Sequence, residues 1–352
     1  MLNIAVQRLY NQHLVDSTCA TPAAAVAALG AVQGQDYPGA KWALALRVPG
    51  STDAAIERAL DEGGLLRTWA LRGTLHLVAA ADVHWLLHLV APRLIASMAR
   101  RYREVELDEP TLERSGRLLV AALPPGQRRD RRELLAMLEA NGISTAGQRG
   151  YHMLMHAGLE RRICQVGVVR NTPIFAALAP PAAPLPARDE ALAELARRYF
   201  TSHGPATLAD FVWWSGLAAG EARAALAALS AELRQETVGG QEYWLSADQP
   251  DHREVPGLLL LPGFDEFLVS YRDRSPSIAA EHERSWGHDN GVFTPTIVRA
   301  GQVVGLWKRT FKKDAVAISV EPLSPLSAAD REAIAAAAEE FGRFLGMAVI
   351  LP

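Results

Sequence analysis

Residues 207–246 read TLADFVWWSGLAAGEARAALAALSAELRQETVGGQEYWLS, and the order of signals in this stretch decides the fold class. Thr207 with Asp210 three residues on is a helix-opening turn, since each side chain can accept from the other's backbone N–H. It predicts a helix from Thr207 to Ser215 and, after Gly216, a second from Ala219 to Ala231. LRQETV and QEYWLS then alternate apolar and polar residues on either side of Gly239-Gly240. A glycine pair tolerates the positive φ angles of a two-residue hairpin turn. A further helix, Asp189 to Ser202, precedes the stretch. Helices followed by a hairpin are the order of a winged helix.

The same order occurs twice upstream, without visible sequence identity between the copies. Asp130 is placed to cap RRELLAMLEANG, which stops at Gly142. ISTAGQRGYHMLMHAGLERRI (143–163) reads as turn, helix, turn, and CQVGVVRNTPIFAAL (164–178) as strand, turn, strand. Nearer the N-terminus, Thr21-Pro22 caps AAAVAALGAVQ (23–33), and Thr52 or Asp53 opens AAIERALDEGG (54–64). LLRTWALRGTLHLV (65–78) alternates about a turn at Arg72-Gly73, and a long amphipathic helix is expected from about Asp82 to Arg103.

Leu178 to Arg188 holds Pro180, Pro181, Pro184 and Pro186, a stiff extended linker. Beyond the last hairpin the pattern changes. GLLLLPGFDEFLVSY (257–271) carries a continuous apolar run. VFTPTIVRAGQVVGLWKRTF (292–311) is a hairpin turning near Ala300-Gly301, and AVAISVEPL (315–323) is another strand. Ser327 then caps an alanine-rich helix. The fold class expected is α+β, mainly helical, with three tandem winged-helix units at 1–125, 126–185 and 186–250 and a small C-terminal α+β element at 251–352.

Bulk properties narrow the function. The chain has 352 residues, 49% hydrophobic and 21% charged, which excludes a disordered chain. No apolar run is long enough to span a bilayer and no signal peptide is evident, so the expected location is cytoplasmic, with no membrane partner. A net charge of −3 argues against coating nucleic acid by sheer positive charge, so any DNA contact must come from local basic patches. Such patches lie at Arg93, Arg100, Arg101 and Arg103, at Arg128, Arg129, Arg131 and Arg132, at Arg161-Arg162, and at Lys308, Arg309, Lys312 and Lys313.

The common catalytic kits are missing: no GxSxG, no Walker A loop, no HExxH and no zinc-deaminase pattern. Cys19 and Cys164 sit in no metal spacing. His84 and His88 stand four apart on a predicted helix, but no third ligand completes them, and no metal is expected. Asp265, Glu266 and Asp273 read either as solvated charges at a turn or as an acid–base pair. Gln33 and Gln35 end a predicted helix just before Asp36-Tyr37-Pro38-Gly39, a turn signal. An amide does not titrate, but it can hold a water or donate to a sugar oxygen.

LLRTWALRGTLHLV, DEFLVSYRDRS and GVFTPTIVRAGQVVGLWKR together resemble the winged-helix family of bacterial DNA glycosylases typified by AlkZ and YcaQ. The resemblance runs from about Leu14 to Ala348 and is closer to the AlkZ-like branch, whose Gln-x-Gln motif maps onto Gln33-Gly34-Gln35. The family's middle motif residue is usually larger and apolar; here it is Gly34. The resemblance implies a C-shaped protein with DNA on its concave face. It implies a monofunctional DNA glycosylase that excises bulky or crosslinked N7-alkylated purines, in alkylation repair or toxin self-resistance. Gln33 and Gln35 would be catalytic. Arg67, Arg72, Thr74 and His76 on the first hairpin, with Arg272, Arg274, Lys308 and Arg309, would form the DNA-binding set. The expected partner is double-stranded DNA, the expected state a monomer, and no cofactor, nucleotide included, is called for. A non-catalytic winged-helix DNA-binding protein is the alternative.

Overall fold

The structure is a computed structural model and describes residues 2–252, 255, 257–287 and 291–351. In chain order it begins α1 (Ile4–Asn11), α2 (Pro22–Leu29), β1 (Val32–Gln33), α3 (Tyr37–Ala45) and α4 (Asp53–Asp61). There follow β2 (Leu65–Trp69), β3 (Leu75–Ala79), α5 (Val83–Ser97), α6 (Ala99–Glu104) and α7 (Glu109–Ala121). Next come β4 (Arg129–Asp130), α8 (Arg131–Ala140), α9 (Arg149–Leu159), β5 (Ile163–Val169) and β6 (Thr172–Ala177). Past the proline-rich stretch lie α10 (Arg188–Ser202), α11 (Leu208–Ser215), α12 (Ala219–Ala228), β7 (Leu233–Val238) and β8 (Gln241–Ser246). The chain ends with β9 (Leu258–Leu261), α13 (Glu266–Val269), α14 (Ala280–Trp286), β10 (Thr296–Arg299), β11 (Gln302–Phe311), β12 (Ala315–Pro322), α15 (Ala328–Leu345) and β13 (Ala348–Ile350). The architecture is mixed α+β.

Packing divides the chain into two compact units, one of Met1–Ile56 with Ala193–Pro352, the other of Glu57–Leu192. Residues 1–125 are therefore shared between the two, and the stretches 193–250 and 251–352 fold into one body.

In the unit Glu57–Leu192, strands run in the order β3-β2-β5-β6-β4. β2 and β3 pair from Leu65↔Ala79 to Trp69↔Leu75, and a 3-10 turn at Leu71–Gly73 closes the hairpin. α8 opens on a capping box in which Asp130 and Glu133 each accept the other's N–H at 2.9 Å, worth about 1 kcal/mol for such a cap. The core gathers Trp69, Leu119, Leu134, Leu138, Met153, Leu154, Ile163 and Phe175.

In the other unit a sheet runs β13-β12-β11-β10-β9, with β12 and β13 parallel and the remaining pairs antiparallel. α15 buries Phe341 and Phe344 against Trp42 of α3. The hairpin β7–β8 keeps Val238 opposite Gln241, and Gly239 and Gly240 take φ of 60° and 80° as the two-residue turn demands. Thr207 and Asp210 form the expected capping box at 2.9 and 3.0 Å, and Gly216 ends α11 with φ 70°.

Four sequence expectations change. First, α2 stops at Leu29, where Gly30 takes a φ of 82° that side-chain-bearing residues rarely adopt and a Cβ would sit tightly, 3.2 Å from the Trp214 ring. Gln33 consequently lies on a strand and not at a helix exit. Second, Asp36-Tyr37-Pro38-Gly39 opens α3 instead of forming a free turn, since proline is well suited to a helix's first turn. Third, the helix expected over Asp82–Arg103 breaks at Met98, whose N–H is shared between the carbonyls of Leu94 and Ile95. Fourth, α1 and α7 lay outside the expected order; α7 carries its own signal in Asp108, which caps Thr111, followed by Pro110 in the first turn.

Candidate active site

The site is built around β1. Gln33 is buried, 4% exposed, and Gln35 is exposed. Gln33 Oε1 accepts the Gln35 backbone N–H at 3.0 Å, and Gln33 Nε2 donates to Gln35 Oε1 at 3.4 Å. The two amides are thus coupled, with the inner one orienting the outer. Asp36, next in the chain, is 3.4 Å from the Arg309 guanidinium on β11.

The backbone of Gln33 is anchored from below. Its N–H donates to Glu266 Oε1 at 2.6 Å. Glu266 Oε2 accepts the Trp214 indole N–H at 3.2 Å and the Ser270 hydroxyl. His203 Nε2 lies 3.7 Å away, too far for a hydrogen bond. Asp265 beside it caps α13 by accepting the Phe267 N–H at 2.9 Å, and it pairs with Arg47 through two 2.8 Å bonds. Arg47 is wholly buried and also donates to the carbonyls of Gln12 and Ala43 and to Gln12 Oε1. Burial opposes its charge, but Asp265 outweighs that and holds the guanidinium above its ordinary value.

Asp265 and Glu266 are only 2% and 1% exposed, so the reading of solvated turn charges is overturned. Both oxygens of each carboxylate are engaged, which also sets aside their use as a free acid–base pair. The cause is local: apolar Phe267, Leu268 and Val269 draw the turn into the core, and the acids survive there by pairing. Further along the same segment, Tyr271 donates to the His203 carbonyl at 2.7 Å and carries the Arg8 guanidinium 3.5 Å above its ring. Asp210 accepts the backbone N–H groups of Arg272 and Asp273 at 2.9 and 3.1 Å. DEFLVSY is therefore stitched into the core at every polar position, while the Arg272 and Asp273 side chains are exposed.

The expected DNA-contact residues fall into two kinds. Arg272 and Lys308 are exposed on the unit that carries the glutamines. Arg274 is tucked between Trp213 and Trp286, with its guanidinium 5.5 and 5.0 Å from the rings, and donates to the Leu268 carbonyl at 3.1 Å. In the other unit, Arg67 and His76 are buried, Arg67 donating to the Gln165 side chain and His76 Nδ1 lying 3.0 Å from the Thr74 carbonyl. Thr74 donates to the Leu71 carbonyl at 3.2 Å, and Arg72 takes a positive φ of 55° in the hairpin turn.

A family model described as DNA glycosylase AlkZ-like matches residues 26–344. The chain belongs to the AlkZ-like DNA glycosylase family. It is 26% identical over 327 residues to a Streptomyces sahachiroi protein described as an interstrand DNA cross-link repair glycosylase, covering 86% of this chain and 85% of the relative. The solved structure of Streptomyces sahachiroi DNA glycosylase AlkZ matches with a TM-score of 0.81 at 21% identity, over 99% of this chain and 98% of that one, so the two share a fold.

Other chemistry in this AlkZ-like chain is quiet. Among the described residues no group of three or more His, Cys, Asp or Glu is placed to hold a metal ion. None of the described helices is long and apolar enough to cross a membrane. Burial pushes the Cys164 thiol up to about 12, so it is not a nucleophile. The bond from Glu266 to the Gln33 backbone and the part of Trp214 in holding that carboxylate were not foreseen from the sequence. The signal lay in DEFL itself, where two acids run without a break into an apolar triplet.

His13, His152 and His203 are held below the ordinary imidazole value, in each case chiefly by burial. On unfolding each would titrate near 6.5, so the unfolded chain binds more protons below that pH. Stability is full above pH 6.5 and is lost as the pH falls from there toward the folded values. The thermal midpoint should decline on going from about pH 7 to about pH 5.5. His203→Asn should flatten part of that slope; an unchanged slope would remove His203 from the explanation.

Proposed function

We propose that this protein hydrolyses the N-glycosidic bond of bulky or crosslinked N7-alkylated purines in double-stranded DNA. The observation that carries this reading is the coupled pair of amides at Gln33 and Gln35, one buried and one exposed, in a chain of the AlkZ-like family.

The chemistry suits amides. Alkylation at N7 leaves the purine cationic, so the base departs as a neutral molecule and needs little acid assistance. As the C1′–N9 bond breaks, its electron pair goes to the base and the sugar takes on oxocarbenium character. Water adds to C1′ and its proton passes to solvent. Gln35 Oε1 can accept from that water, and an amide N–H can donate to a sugar oxygen. Such fixed dipoles contribute by positioning and by stabilising developing charge. The lesion supplies the driving force that a carboxylate supplies elsewhere.

The helix-and-hairpin orders at 1–125, 126–185 and 186–250 support three winged-helix units, with 251–352 as an α+β element carrying the brace for Gln33. The reading extends to a monomer that works in the cytoplasm without a nucleotide cofactor. Exposed Arg272 and Lys308 suit phosphate binding, whereas Arg274 suits a structural role. Lys308→Ala should weaken DNA binding and reduce the slope of log K against log salt by about 0.9, the value for one phosphate no longer neutralised. Arg274→Ala should leave that slope unchanged and lower the melting temperature.

The experiment is a denaturing gel of a duplex crosslinked by a nitrogen mustard between guanine N7 atoms. Unhooking with alkali-labile sites is expected. Binding without strand scission after alkali would make the protein a non-catalytic DNA binder.

A further inference from the structure

We infer that Glu266 is a positioning residue for this reaction, acting through the backbone of Gln33; the inference rests on the proposed role of the two glutamines. The carboxylate never meets solvent, at 1% exposure. A buried carboxylate is costly unless its charge is matched. Asp265, one residue earlier, is matched by a full bidentate guanidinium. The Gln33 amide, the Trp214 indole and the Ser270 hydroxyl donate to Glu266, and the buried His203 imidazole lies 3.7 Å from it. Through its Oε1 the carboxylate grips the backbone of the strand that carries Gln33.

The geometry shows what the grip controls. The bond to the Gln33 N–H is short at 2.6 Å, as expected when the acceptor is charged. It sets where the Gln33 side chain leaves the strand. From there Gln33 Oε1 receives the Gln35 N–H and Gln33 Nε2 meets Gln35 Oε1. Glu266, Gln33 and Gln35 thus form one chain of hydrogen bonds ending at the exposed amide. Gly34 between the glutamines adds no side chain to stiffen this turn, and the bonds made with Gln33 help orient Gln35. Trp214 and Ser270 hold the carboxylate from the other side and keep it from swinging away. Ser270 lies one turn after Glu266, and Trp214 comes from α11.

A group that acts by orientation should alter the chemical step and leave DNA binding alone. Glu266→Gln keeps the volume but removes the charge, and its NH2 cannot accept from the donors Glu266 serves. Its single-turnover excision rate on the nitrogen-mustard-crosslinked duplex is expected to fall about 10- to 100-fold, the range for a small misplacement of a reacting group. The dissociation constant for that duplex should stay within about twofold, since a buried Glu266 does not reach the DNA. The Gln33 amide proton, strongly deshielded by the carboxylate, should move upfield in the variant's NMR spectrum.

Tyr199→Phe is the structural control. It removes a hydroxyl that donates to the Ser270 carbonyl at 3.1 Å on the same segment, without touching the Glu266 carboxylate. It should lower the melting temperature and keep the rate. If Glu266→Gln does not fold, Glu266→Asp retains the charge but withdraws it by one methylene and should lose rate in the same way. Wild-type excision by a folded Glu266 variant, with Gln35→Ala inactive in parallel, overturns this inference alone. Wild-type excision by Gln35→Ala overturns the reading of the site on which it rests.

Discussion

Gln35→Ala loses about 10²–10³-fold in single-turnover excision of an N7-alkylguanine, the scale for removing one preorganised hydrogen-bonding group at a reacting centre. Its melting temperature stays where it was, because Gln35 is exposed and the bond that Gln33 donates to its side-chain oxygen is long, at 3.4 Å. The dissociation constant for the damaged duplex also holds, since the missing interaction belongs to the transition state. Gln33→Ala should match it in rate but lose some stability, being buried and bonded to the Gln35 backbone. Rates measured with enzyme in excess, alongside thermal melts, check both. If Gln35→Ala excised at the wild-type rate, the amide pair would not be the catalytic site.

Arg47→Ala is expected to destabilise the fold by about 3–5 kcal/mol, the cost of leaving a buried carboxylate without its partner. Arg47 is 0% exposed and Asp265 only 2%, so water cannot replace the missing guanidinium. The carbonyls of Gln12 and Ala43 and the side chain of Gln12 also lose a donor. Asp265→Asn should be milder, because it removes one charge and leaves a polar group for Arg47 to meet. Urea denaturation with linear extrapolation checks the pair. A loss under about 1 kcal/mol for Arg47→Ala would show that the two ions gain little over their desolvation.

What could be read in the sequence was what short-range chemistry specifies. Gly239-Gly240 requires a turn, and Thr207 with Asp210 requires a helix start, whatever surrounds them. The hairpin at 65–79 and the caps at Asp130 and Ser327 were legible for the same reason. The surroundings of Gln33 were not. The alanine pattern of α2 runs on through Ala31 and Val32, but the helix ends at Gly30, which takes φ 82° close beside the Trp214 ring from far along the chain. The brace beneath Gln33 comes from a residue 233 positions away, and the Arg47–Asp265 pair spans 218. Arg47 stood outside every basic cluster in the chain, and Asp265 and Glu266 looked like surface charge. Pairings at that separation leave little trace in local pattern, so the Gln-x-Gln motif was recognisable while its buried partners were not.

The central claim is that this chain releases the damaged base by hydrolysis at a site made by Gln33 and Gln35. Mass spectrometry of the small molecules freed from a nitrogen-mustard-crosslinked duplex tests it most directly. Free N7-alkylguanine should appear in step with alkali-labile abasic sites, with neither product formed by Gln35→Ala. A duplex that is bound but yields no free base, or equal release by wild type and Gln35→Ala, would contradict it.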